Sequence, residues 1–68
     1  MIYYVNVSIG EQTRVLFYDS SFRQIEDVLC VGAEVDEILQ WYVEDHDVRI
    51  ALVGMSADEL ERRQNAII

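Results

Sequence analysis

Apolar and polar positions alternate from the first residues of the chain. In residues 2–9, Tyr3, Val5, Val7 and Ile9 fall on one face, and Ile2, Tyr4, Asn6 and Ser8 on the other. A period of two is the signature of a β-strand. Gly10-Glu11-Gln12 supplies a turn, since glycine takes positive φ without steric cost. Residues 13–18, Thr13-Arg14-Val15-Leu16-Phe17-Tyr18, then read as a second strand. The two strands are predicted to pair as an antiparallel hairpin.

Beyond Tyr18 the period changes. Ser21 followed by Gln24 fits a capping box, which predicts a helix from about Phe22. Its stripe would be Phe22, Ile25, Val28 and Leu29, and Gly32 would end it. Val28-Leu29-Cys30-Val31 also fits a short strand, and the pattern leaves both open. Residues 33–45 give the clearest helical stripe: Val35, Ile38, Leu39, Tyr42 and Val43, with Asp47 ending the helix. Residues 48–54 are almost wholly apolar and are predicted to form a third, central strand. Ser56 and Glu59 form a second capping box, with Met55 and Leu60 spaced as a hydrophobic staple. In that last helix Asp58–Arg62 and Glu59–Arg63 stand at i,i+4 spacing. The expected order is β-β-α-α-β-α. The expected fold is α+β: a small, three-stranded, mainly antiparallel sheet with helices packed on one face.

Size limits what this fold can do. At 68 residues the chain, 1–68, is read as a single domain and, opening on Met1, as a complete small open reading frame. A domain this small buries only about 60% of the surface its unfolded chain exposes. Yet 51% of the residues are hydrophobic, more than one small core needs. Apolar surface should therefore remain for a partner or a second copy.

Charge narrows the classes of partner. Thirteen acids stand against five bases, all arginine, for a net −8. Phosphate backbones and anionic lipid headgroups repel such a chain, which argues against direct nucleic-acid or membrane binding. A basic protein surface is the natural complement, although acidity also serves solubility. No basic, apolar leader and no run of ~18 apolar residues is present. Cys30 stands alone, which excludes an internal disulfide and paired-cysteine metal sites and fits a reducing, cytoplasmic setting.

Candidate chemistry is sparse. His46 and Cys30 are the only residues of their kinds, and no local motif joins them as base and nucleophile. Glu44-Asp45-His46-Asp47 gathers carboxylates but lacks the spaced aspartates and turn glycine of a calcium loop. No phosphate-binding glycine loop, G-x-S-x-G or H-E-x-x-H occurs. The expectation is a protein that is not an enzyme and takes no cofactor or metal.

One constellation stands out. Between Arg23 and Arg49 lie Glu26, Asp27, Glu34, Asp36, Glu37, Glu44, Asp45 and Asp47, with no arginine or lysine among them. On a helical wheel Trp41 falls outside the apolar stripe, and its neighbours are Glu34, Glu37, Glu44 and Asp45. An indole among carboxylates suits a binding hot spot for a cationic partner, whose arginine would stack on the ring while pairing with an acid. Packing at the edge of the core is the competing role for Trp41. The partner-binding candidates are thus Glu34, Glu37, Trp41, Glu44 and Asp45. They suggest a non-catalytic, protein-binding module: a small acidic inhibitor occupying a basic, nucleic-acid-binding site on a larger protein. Small acidic inhibitors of viruses and mobile elements, and some antitoxins, act in this way by analogy of size and charge. The alternative is a homo-oligomeric structural or adaptor subunit, a homodimer held by Trp41 or by the terminal Ala66-Ile67-Ile68.

Overall fold

A computed structural model describes residues 1–45 and 52–66. Among the described residues six elements follow: β1 (Ile2–Ile9), β2 (Gln12–Tyr18), β3 (Gln24–Leu29), α1 (Val35–Asp45), β4 (Leu52–Gly54) and α2 (Ala57–Asn65). The fold is α+β, as the pattern predicts, but its sheet is not the one expected. Four strands are ordered β3-β2-β1-β4. β1 and β2 form the antiparallel hairpin, from Tyr3 opposite Tyr18 to Ile9 opposite Gln12. Gly10 at its turn has φ 64°, the left-handed conformation that glycine reaches freely. β3 adds antiparallel to β2, and β4 adds parallel to β1, which makes the sheet mixed.

The element order is therefore β-β-β-α-β-α. The helix expected from Phe22 is strand β3, and the reason is local. Ser21 does not cap. Asp19 does the capping of the backbone: its Oδ1 accepts from the amides of Ser21 (2.9 Å) and Arg23 (3.0 Å). Phe22 sits at φ 62° within this turn. An Asx turn of this kind reverses the chain and satisfies the amides a helix start would leave open. Of the two readings of 28–31, the strand is right as far as Leu29. Gly32, at φ 68°, follows β3 in a loop and ends no helix.

The strand expected at 48–54 also changes. Residues 46–51 lie outside the described residues, as do Ile67 and Ile68. What is described, β4, is three residues long and stands at an edge of the sheet; β1 and β2 hold the centre. The helices do not share a face. Ile2, Tyr4, Val15, Phe17, Val28 and Leu52 pack with Ile38 and Tyr42 of α1. Tyr3, Val5, Leu16 and Tyr18 pack with Leu60 of α2, on the opposite side. Strand pleating explains this: both faces of β1 and β2 are apolar at the Tyr3–Tyr18 end, and each needs a cover.

Each helix covers a separate cluster of buried side chains. Val15 and Phe17 are fully buried, and the Phe17 ring stacks on Tyr42 at 3.9 Å between centroids, 9° from parallel. On the other side Tyr3 stacks on Phe22 at 4.7 Å, and the Arg63 guanidinium lies 5.8 Å from both rings. A cation over aromatic faces is attracted by their negative quadrupole. α2 begins as its capping box requires: Ser56 accepts from the Glu59 amide at 3.1 Å. Met55 and Leu60 join one cluster, and Arg63 pairs with Glu59 at 2.8 Å.

Candidate functional site

Helix α1 carries the stripe that the sequence predicts. Ile38 and Tyr42 are buried, and Val35 and Leu39 pack beside them. Asp36 and Glu37 lie in its first turn, where carboxylates suit the positive end of a helix dipole. Glu44 and Asp45 occupy the last turn, and among the described residues no base accompanies them there. Carboxylates at the negative end of a helix are disfavoured by about 0.3–1 kcal/mol each. A cation placed there would relieve both the like charges and the dipole.

Trp41 is 50% exposed. It neither seals into the core nor stands free. With Ile38, Tyr42 and Asp45 of α1 it meets Glu26 and Val28 of β3 around a half-open groove of about 180 Å³. Four lining residues are apolar or aromatic, and the two carboxylates come from different elements. Tyr42 reports the setting. Its phenol is held above the ordinary tyrosine range, first by burial and then by the negative charge of Glu26.

Of the five residues singled out by sequence, Trp41 and Asp45 line this groove. Glu34, Glu37 and Glu44 are exposed but lie outside its lining. Glu34 stands just before α1, where its carbonyl accepts from the amides of Glu37 and Ile38. Glu26 and Val28 were not anticipated as site residues. Reading 22–29 as a helix hid the alternation that puts them together on the α1 side of a strand. The strand alternative for 28–31 was the one signal in the sequence.

Strand β3 forms the outer flank of the groove. It ends the sheet, and every residue in it except Val28 is exposed. Among the described residues nothing pairs with its outer edge. The register fixes which groups face outward. Cys30 donates its amide to Thr13 at 2.9 Å, towards β2. Antiparallel alternation then turns the amides and carbonyls of Leu29 and Asp27 away from the sheet. The Asp27 side chain, on the face opposite the groove, pairs with Arg14 at 3.1 Å.

On that opposite face α2 covers only the Tyr3–Tyr18 end. Ile9 and Leu29 remain exposed beyond it. Among the described residues no group of three or more histidine, cysteine, aspartate or glutamate side chains is arranged to hold a metal ion. Among them, too, no helix is long and apolar enough to cross a membrane. Comparison with protein-family models, with curated proteins and with solved structures finds no match to this chain.

Proposed function

We propose that this chain is a non-catalytic protein-binding module whose acidic α1 face occupies a basic site on a larger protein. The observation that carries the reading is the half-exposed Trp41, set over an apolar groove and flanked by carboxylates of two elements. An exposed indole costs solvation unless a partner covers it, and aromatic anchors dominate interface energetics. Around it, Glu34, Glu37, Glu44 and Asp45 supply a field that steers a cationic surface and raises its association rate. Carboxylates on one helix can also stand where phosphates would lie, so a nucleic-acid-binding groove is the basic site that fits best. Such a role belongs in a reducing compartment, with Cys30 as a free thiol.

The test is affinity capture from the native host at low and at high salt, with wild type beside a Glu37→Arg, Glu44→Arg double variant. Capture of a basic protein that the variant and high salt both abolish is the expected result. Capture indifferent to charge reversal and to salt would overturn the acidic-face reading.

A second reading rests on a different surface. Ile9 and Leu29 leave apolar area uncovered on the α2 side of the sheet, which suits a homo-oligomeric subunit. Sedimentation equilibrium separates the two. A dimer that Leu29→Asp dissociates, together with no salt-sensitive partner, favours the second.

A further inference from the structure

Resting on the protein-binding reading, we infer that the partner contributes an extended basic segment, which adds to the outer edge of β3 as a fifth strand and places an arginine in the Trp41 groove.

Three features of the molecule converge on this. The edge comes first. Asp27 and Leu29 turn amides and carbonyls outward, and β3 is exposed along nearly its whole length. Such an edge is a template for another strand, whose main-chain hydrogen bonds supply affinity without regard to sequence. The groove comes second. It borders the same strand, between Glu26 and Val28 of β3 and Ile38, Trp41, Tyr42 and Asp45 of α1. In an added strand alternate side chains point to the α1 side, so they enter this groove. The third feature is charge. Glu26 and Asp45 flank the indole, and the carboxyl end of α1 adds its own partial negative charge. A guanidinium fits this setting better than an ammonium, because its plane stacks on Trp41 while its edge pairs with a carboxylate.

A second copy of the chain is the poorer occupant. β3 contains Glu26 and Asp27 and no base, so pairing two copies edge to edge brings carboxylates to a face that already carries Glu26 and Asp45. Each copy also carries a net −8. A helix laid in the groove would leave the outward amides of β3 without partners.

The experiment titrates the full chain with acetylated heptapeptides in which valine alternates with arginine, leucine or glutamate. Emission from Trp41, the single tryptophan, and amide shifts in β3 are the readouts. Arginine peptides should bind at least about tenfold more tightly than their glutamate counterparts, and binding should weaken with salt. N-methylation of the peptide amides that face β3 should abolish binding, while N-methylation of the outward ones should not. Glu26→Gln and Asp45→Asn, both surface changes, should each reduce the preference for arginine.

Other results overturn the inference. Equal binding of glutamate and arginine peptides would remove the cationic occupant. Indifference to N-methylation would remove the added strand. Absence of binding across the series, or a dimer in which β3 amides are protected from exchange, would remove both. Captured partners lost in the Glu37→Arg, Glu44→Arg variant, yet never competed by the arginine peptides, would leave the acidic α1 face standing and reject the strand.

Discussion

Truncation of Trp41 separates an open groove from a sealed core. The indole is 50% exposed, whereas Phe17, under the same helix, is fully buried and stacked on Tyr42. A tryptophan side chain offers roughly 250 Å². Half of that, about 125 Å² at ~25 cal/mol per Å², sets an upper limit near 3 kcal/mol for what Trp41→Ala removes. The alanine Cβ keeps part of this area, and a compact denatured chain never exposes all of it, which trims the figure by about 10–40%. Alanine also returns about 0.5 kcal/mol of helix propensity. The net loss should be about 1–2 kcal/mol. Phe17→Ala deletes a fully packed ring and should cost about 3–5 kcal/mol. A chain of this size holds only about 3–10 kcal/mol in all. Trp41→Ala should therefore unfold in one cooperative urea transition with a lowered midpoint and an unchanged slope, followed by circular dichroism. Phe17→Ala should lower the midpoint roughly two- to threefold further than Trp41→Ala does, or leave no folded baseline at all. If Trp41→Ala proves as damaging as Phe17→Ala, the indole is a pillar of the core and the groove is not a docking surface.

Alkali should destabilise the fold from about pH 10, the ordinary tyrosine value. Tyr18 and Tyr42 are both held above it, chiefly by burial, with Asp27 and Glu26 respectively adding to the effect. Folding therefore favours the protonated phenols. Their contribution is whole below the unfolded-state value and is lost as pH climbs towards the folded-state values. Ultraviolet titration of Glu26→Gln should show Tyr42 ionising at lower pH than in the wild type; an unmoved Tyr42 would place Glu26 away from the groove. Ser56→Ala removes the acceptor of the Glu59 amide and should cost about 1 kcal/mol, while Ser56→Asp should keep the cap, both read from denaturation midpoints. At position 22, φ 62° strains any β-carbon. Phe22→Gly should thus be no less stable than Phe22→Ala, although both lose the stack on Tyr3; the reverse order would mean the turn does not hold that conformation.

The sequence by itself determined whatever depends on neighbours in the chain. The hairpin of β1 and β2 follows from two short β-prone runs on either side of Gly10. The start of α2 follows from Ser56 and Glu59, whose groups are three residues apart and bond without help from the rest of the fold. The stripe of α1 follows from the spacing of Val35, Ile38, Leu39 and Tyr42. Tertiary structure decided the rest. Residues 24–29 carry apolar groups that suit a helical stripe and a strand almost equally, and the choice fell to the open edge of β2 and to the turn built on Asp19. The side of the sheet each helix covers is also non-local, because both faces of the hairpin are apolar and only packing assigns α1 to one and α2 to the other. The groove needs both decisions. Glu26 reaches the neighbourhood of Trp41 and Asp45 only once β3 has joined the sheet and α1 has crossed its face, and no spacing along the chain encodes that meeting.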